Sequence, residues 1–240
     1  MYHNSSRHSY YQQHHGENLT PLKRGSVDPR RLRKRMVRDQ IEARGIADPL
    51  LLQAMNTVPR HLFVPEAFQA HAYDDTALPI GQGQTISRPY MVARMTAALN
   101  LRPGMRIMEV GMGCGYQAAI LAAMGCIVFG IERLEELCNT TRARLQRMSL
   151  RNIHVYRGDG TLGFSAAAPF ERILVSAGGP KIPPPLIAQL DLDGLLVIPV
   201  GDKPRNQRLI RIRKGRSTVE REDLGPATFV DLIGNHGWER

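Results

Sequence analysis

Three acidic residues stand at the ends of three successive strand-like runs, and a glycine-rich turn follows the first of them. That turn is Glu109-Val-Gly-Met-Gly-Cys-Gly115, entered from Ile107-Met108 and left through Tyr116. Glycine at 111, 113 and 115 permits tight turning and lets a ligand approach the backbone closely. A dinucleotide fingerprint needs its third glycine at position 116, which is tyrosine here, so the G-x-G-x-G spacing points to a different cofactor. An acid directly before such a turn suits a cofactor that carries an amino acid. Loop amides meet the carboxylate side, and Glu109 helps hold the cationic end. The second run closes on Gly130-Ile131-Glu132, placing a carboxylate where it can accept both hydroxyls of a ribose. The third closes on Gly158-Asp159-Gly160, where Asp159 can accept from an adenine amino group. Plain structural readings stand beside these: a shaped corner for the glycines, a helix start for Glu132, a turn former for Asp159. Cys114 has no base beside it and is read as a small turn residue rather than a nucleophile.

Residues of this kind need a scaffold that brings successive strand ends together. The sequence predicts strands at 106–110, 127–131, 154–157, 172–176 and 194–200, with helices at 116–124, 135–148 and 186–190 between them. Such alternation gives an α/β fold, a doubly wound, mostly parallel Rossmann-like sheet with helices on both faces. Two later runs, 208–214 and 228–233, read as a C-terminal antiparallel strand pair joined by a polar turn region. Before the sheet, a charged helix from 31 to about 43 stops at Gly45, and Asp48-Pro49 opens a second helix. Residues 73–87 lack strong periodicity and read as a functional loop leading to a helix at 90–99. Residues 1–30, polar and nearly free of aliphatic side chains, read as a disordered basic tail. Residues 31–240 then form the folded unit, with a helical and acceptor-loop region (31–100) and a cofactor-binding sheet (101–240).

Charge and cysteine usage narrow the class. The formal charge is +10, but residues 1–35 and 201–221 each carry a net +6, which leaves the remainder slightly acidic. The basic residues therefore form an arm and one late segment, read chiefly as a solvated tail and an exposed strand face. Nucleic-acid binding through stacked aromatics is disfavoured at 6% aromatic content with a single tryptophan, Trp238. Three cysteines at 114, 126 and 138, none in a C-x-x-C pair, argue against a disulfide framework or a thiolate metal site and fit a cytoplasmic location. Apolar stretches are too short for a membrane span, and the N-terminus lacks a signal-like apolar region.

Beyond these features, the chain resembles the protein-L-isoaspartate O-methyltransferases over roughly residues 36–238. The resemblance rests on Val58-Pro-Arg-His-Leu-Phe-Val-Pro65, Ala77-Leu-Pro-Ile-Gly-Gln-Gly-Gln-Thr-Ile-Ser-Arg-Pro-Tyr90, the glycine turn through Ala119, Gly158-Asp-Gly-Thr-Leu-Gly163, Ile182-Pro-Pro-Pro-Leu186 and Leu196-Val-Ile-Pro-Val-Gly201. The Gly-Gln-Thr-Ile-Ser-x-Pro block is the most specific of these. It implies S-adenosylmethionine as cofactor and methylation of the α-carboxylate of L-isoaspartyl residues in damaged proteins and peptides. The ester then collapses to a succinimide and hydrolysis returns part of it to aspartate. No metal, no specific nucleic-acid partner and no membrane are expected, and the chain is expected to act as a monomer. Ser87 falls at the active site, with Arg88 and Tyr90 as substrate neighbours. Thr85, Ile86, Glu109, Gly111, Gly113, Gly115, Glu132, Asp159 and Gly160 fall around the cofactor.

A carboxylate acceptor is already ionised at neutral pH, so no general base is required, and His61 and His71 are read as packing or loop residues. Ser87 has two compatible readings, a hydroxyl donor to the acceptor and a helix cap before Pro89. Tyr73-Asp74-Asp75 lies beside this loop, either shaping the cavity or solvated at the surface. The chain departs from the family pattern at Met112 and Cys114, where Thr and Ser are common, at Arg88, and at Gly178-Gly179. Those departures motivate an alternative, a related carboxylate O-methyltransferase with one dedicated peptide or protein substrate.

Overall fold

The computed structural model describes residues 28–239. The polar segment read as a disordered tail lies, through residue 27, outside the described residues. Its end is ordered: Asp28 caps helix α1 (Pro29–Met36) by accepting from the Arg30 amide at 2.8 Å, with Pro29 at the first helical position. The helix continues as a π turn at Val37–Ile41 and a 3-10 turn at Glu42–Arg44, and stops at Gly45 in the left-handed region (φ 86°). Asp48 caps α2 (Pro49–Thr57), accepting from the amides of Leu50 and Leu51.

The stretch read as an aperiodic loop contains a small hairpin. Strands β1 (Leu78–Gly81) and β2 (Gln84–Ile86) pair antiparallel across Gln82-Gly83, both at positive φ (52° and 68°). Strands this short, one carrying Pro79, show no readable period, and only the two-residue turn betrays them. Helix α3 (Pro89–Ala97) follows directly.

The main sheet is built from β3 (Arg106–Val110), β4 (Ile127–Glu132), β5 (Ile153–Arg157), β6 (Phe170–Val175), β7 (Leu190–Lys203), β8 (Asn206–Lys214) and β9 (Val219–Ala227), in the order β5-β4-β3-β6-β7-β8-β9. Strands β3 to β7 run parallel, while β8 and β9 add antiparallel. Helices α4 (Tyr116–Ala123), α5 (Glu135–Arg147) and α6 (Pro184–Gln189) connect them. Central strands such as Ile107-Met108-Glu109-Val110 are buried on both faces, as parallel sheets require.

Residues 228–233, expected as the last strand, are instead an irregular segment with isolated bridges from Asp231 to Gly178 and from Ile233 to Trp238, and the strand lies at 219–227. The misreading has a physical cause. Strand β9 reads Val-Glu-Arg-Glu-Asp-Leu-Gly-Pro-Ala at a sheet edge, is mostly exposed, and has two of its acids, Glu222 and Asp223, paired with β8. Arg208 meets Asp223 and Arg211 meets Glu222 across this pair. Its pattern is polar because cross-strand ion pairs, rather than burial, accompany the pairing.

Side chains of the sheet point alternately into two cores. Met108 and Val110 of β3 enter one with Ile131, Phe170 and Leu186. Ile107 enters the other, which also takes α2, α3, α4 and the residues before the sheet. Glu109, by alternation, belongs to that second face, beneath the N-terminal region.

Candidate active site

Strand order reverses at β3, whose neighbours are β4 on one side and β6 on the other. In open α/β sheets a crevice forms at this switch point, beyond the carboxyl ends of the strands. A pocket occupies it. One wall is the glycine turn with Ile131–Leu134 and Gly160, and the opposite wall is Gly83–Ser87 from the hairpin. Tyr116 and Gln117 line it from α4, and Ser176, Arg205 and residues 230–233 complete it.

The glycine turn is held by its own backbone and by α5. Gly111, Gly113 and Gly115 all take positive φ (77°, 53° and 84°). The amides of Gly111 and Met112 donate to the Ile131 carbonyl, and that of Gly115 to the Met112 carbonyl. Thr141 Oγ1 donates to the Gly113 carbonyl (2.6 Å) and Arg144 to the Cys114 carbonyl (2.9 Å). At Gly115 a Cβ would fall 2.8 Å from Thr141 Cγ2, so the turn can approach α5 only as glycine. The sequence suggested loop amides facing the cofactor, yet those of 111, 112, 113 and 115 are already engaged. What these glycines supply is close backbone approach.

Glu132 accepts from the Gly113 amide on one oxygen and the Leu134 amide on the other, both at 2.9 Å. It is 6% exposed and lines the pocket, with lone pairs left on each oxygen for donors such as hydroxyls. Glu109 is wholly buried, and neither of its oxygens has a well-formed hydrogen bond. Burial, then the nearby Glu132 carboxylate, push its pKa well above the carboxylate range, with the Ser176 hydroxyl only partly opposing them. A buried carboxylate left without a well-formed donor beside a pocket fits the cationic end of an amino acid.

Asp159 is placed differently. Its carboxylate accepts from Thr161 (amide 2.9 Å, hydroxyl 2.7 Å) and from the Asn235 amide (2.8 Å), and it does not line the pocket. Burial raises its pKa, but these hydrogen bonds outweigh that and hold it below its ordinary value. The pocket is lined at this strand end by Gly160, where a Cβ would collide with Val110 Cγ1.

On the acceptor side, Thr85, Ile86 and Ser87 line the pocket, whereas Arg88 and Tyr90 do not. Arg88 is the exposed N-cap residue of α3 and Tyr90 packs under Arg44. Ser87 does not cap α3, and its hydroxyl makes no hydrogen bond among the described residues. Of the family departures, Met112 is buried with its thioether filling the space a Cβ would need at Gly130. Cys114 is buried and burial raises its thiol pKa, the opposite of an activated nucleophile. His61 bonds the Tyr73 hydroxyl (2.7 Å) and His71 bonds Asp74 (3.0 Å), away from the pocket, in keeping with loop roles.

Sequence reasoning missed Gln117, Ser176, Arg205 and Asp231 as pocket residues. Gln117 carried a signal, since it is the one polar side chain within a helix that is otherwise buried and apolar after Tyr116, and it donates to Thr96 Oγ1 at 2.8 Å. The others come from segments that only the fold brings near.

A doubly wound sheet whose switch-point pocket joins a glycine turn to buried carboxylates on β3 and β4 defines a class I S-adenosylmethionine-dependent methyltransferase. Comparison with known proteins agrees and narrows it. The family model for protein-L-isoaspartate(D-aspartate) O-methyltransferase matches residues 31–237. A protein-L-isoaspartate O-methyltransferase of Methylorubrum extorquens is 53% identical over 206 residues, 85% of this chain and 90% of that protein. One from Syntrophus aciditrophicus is 47% identical over 208 residues, 86% and 95% of the respective chains. A Plasmodium falciparum β-aspartate methyltransferase, solved with S-adenosyl-L-homocysteine, superposes with a TM-score of 0.71 at 26% identity, over 85% of this chain and 99% of that one. The chain belongs to the protein-L-isoaspartate(D-aspartate) O-methyltransferase family.

Proposed function

We propose that this chain methylates the α-carboxylate of L-isoaspartyl residues in damaged proteins and peptides, the first step of their repair, with Ser87 as the residue that holds the acceptor. The single observation that carries this reading is the continuity of the pocket, which runs from Glu109 and Glu132 on one wall to Thr85, Ile86 and Ser87 on the other. S-adenosylmethionine supplies the methyl group as a sulfonium. Glu109 takes its amino group, Glu132 its ribose, and Gly111, Gly113, Gly115 and Gly160 allow close backbone approach. The adenine role first assigned to Asp159 is carried less well by this geometry, because its oxygens already hold Thr161 and Asn235.

The Ser87 hydroxyl donates to one oxygen of the acceptor carboxylate and leaves the other free to attack. No base is needed, and attack on a sulfonium cancels two opposite charges, so a pocket that excludes water favours it. In-line positioning is then the main catalytic resource, on the order of 7–11 kcal/mol.

Residues 31–100 supply the acceptor wall and 101–240 most of the donor wall, within one chain, which supports action as a monomer. The basic residues of 201–221 are consistent with a structural role, since Arg208, Arg211 and Arg213 all meet acids of the same sheet. No specific nucleic-acid partner is therefore part of this reading. Three free, buried cysteines suit the cytoplasm, and no helix among the described residues is long and apolar enough to cross a membrane.

The test is transfer of labelled methyl groups to paired synthetic peptides that differ only in an isoaspartyl or aspartyl linkage. Labelling of the isoaspartyl peptide alone is expected; equal labelling of both, or of neither, sinks the proposal.

A further inference from the structure

The hairpin that carries Thr85, Ile86 and Ser87 leaves the N-terminal region after Asp75 and rejoins it at Tyr90. The two ends of that excursion are fastened to each other. Asp75 Oδ1 accepts from the Tyr90 amide at 3.3 Å, and Oδ2 pairs with Arg44 Nη1 at 2.8 Å. The Arg44 guanidinium also lies over the Tyr90 ring, 4.6 Å from its centroid, so one cation holds both ends of the neck.

The Tyr90 amide is one of the first-turn donors that a helix leaves without an internal partner, and α3 has no side-chain cap of its own. Asp75 fills that place from a distant loop, and its charge suits the helix N-terminus. The loop bearing Asp75 is itself anchored in the core. Arg60, 0% exposed, donates from Nε to the Ala72 carbonyl (2.7 Å) and from Nη2 to the Thr76 carbonyl (3.5 Å). Gln40 donates to the Tyr73 carbonyl at 2.8 Å. Asp75 thus sits on a fixed base and reaches out to the turn that follows Ser87. Its side chain is only 17% exposed, which keeps the Arg44 contact from being fully screened.

From this we infer that Asp75, together with Arg44, is a positioning residue for methyl transfer: it closes the neck of the acceptor hairpin and so fixes where the Ser87 hydroxyl stands opposite the donor wall. Neither side chain lines the pocket, so the effect passes through the Ser87-Arg88-Pro89-Tyr90 turn. The inference rests on reading Ser87 as the acceptor-holding residue.

The experiment compares D75A, D75N and R44A in steady-state methylation of an isoaspartyl peptide, with cofactor affinity measured by calorimetry and hydrogen exchange followed over residues 84–90. D75A removes both contacts. A displacement of about 1 Å at a reacting group costs on the order of 100-fold, so its kcat should fall about 30- to 100-fold. Cofactor Kd should stay within about threefold, and exchange at 84–90 should quicken. D75N keeps an oxygen for the Tyr90 amide and should retain kcat within about fivefold, and R44A should fall between the two. A D75A enzyme with wild-type kcat per folded molecule overturns the inference. So does a D75A loss shared equally with cofactor affinity, which marks general collapse. Should D75A not fold, R44A decides alone: lowered kcat at unchanged cofactor affinity supports the clamp, and unchanged kcat overturns it. S87A run alongside separates the two claims. If S87A turns over normally, the Ser87 role fails, while faster exchange and lost kcat in D75A still report a positioned hairpin.

Discussion

Glu109→Gln tests the donor wall most directly, because it changes charge with almost no change in volume. In the folded protein without cofactor, burial and the Glu132 carboxylate raise the Glu109 pKa well above its ordinary 4.5. The folded state therefore holds this proton more tightly than the unfolded chain does. The stability it contributes is fully present below pH 4.5 and is lost as pH rises through the folded pKa. Glutamine never ionises, so E109Q escapes that loss. Ionising a buried group that lacks a well-formed partner costs about 1–3 kcal/mol, which E109Q avoids, and that corresponds to roughly 2–10 °C in Tm for a chain of this size. The Tm difference between E109Q and wild type, without cofactor, should widen as pH is raised from about 5 and then level off. Cofactor binding should move the opposite way. A charge-assisted hydrogen bond exceeds a neutral one by about 1–2 kcal/mol, so E109Q should bind S-adenosylmethionine about 5- to 30-fold more weakly. Wild type should also release a proton on binding, as the cationic amino group draws out the ionised carboxylate. Calorimetry in buffers of differing ionisation enthalpy reads that proton, and E109Q should show none. Wild-type affinity in E109Q, with no proton released by either protein, would refute the assignment of Glu109 to the cationic end.

Three further outcomes follow from the same geometry. Ser87→Ala should lower turnover of an isoaspartyl peptide at least tenfold while cofactor affinity stays within about twofold, since only the acceptor contact is lost; parallel loss of both would place Ser87 on the donor side. Gly160→Ala pushes a Cβ into Val110 Cγ1 and should cost about 1–3 kcal/mol in denaturant melts, with Val110→Ala restoring much of it; a G160A protein as stable as wild type would show that the strand end is looser than described. Removing residues 1–27 should leave peptide methylation within about twofold, since α1 and its Asp28 cap begin after the cut, and a large loss in the same assay would give the tail a role.

Much of the donor half could be read directly from residue types. The strand before the turn, the three glycines and Glu132 at the end of β4 follow from local rules: apolar runs, positive φ and strand-end acids. The helix start at Asp48 belongs to the same category, because a cap is a contact within three residues, whereas the Asp28 cap was hidden in a segment whose polar composition reads as tail. Asp159 shows the limit of that reasoning. Its position at a strand end was legible, but the Asn235 amide that occupies it comes from a segment 76 residues later. Strand β9 shows another limit, for its stability comes from partners on β8 rather than from an apolar face. Arg205 and Asp231 reach the pocket only because β7, β8 and the final segment fold back over the switch point. The Asp75 clamp was visible only as an acidic stretch, with nothing local to say that it reaches Tyr90.

Strand β9 also bears on the company this enzyme keeps. Its substrates are other protein chains that carry isoaspartyl damage, so contact with foreign backbone is part of its work. An outermost strand with free amides and carbonyls is where such backbone would add and stay. Here that strand carries Glu220, Arg221, Glu222 and Asp223 in succession and ends beside Pro226, which has no amide to give. A second chain laid along it would have to strip water from four charges to gain a few hydrogen bonds. This edge of the sheet that holds the cofactor is thereby a poor template for the addition of another chain.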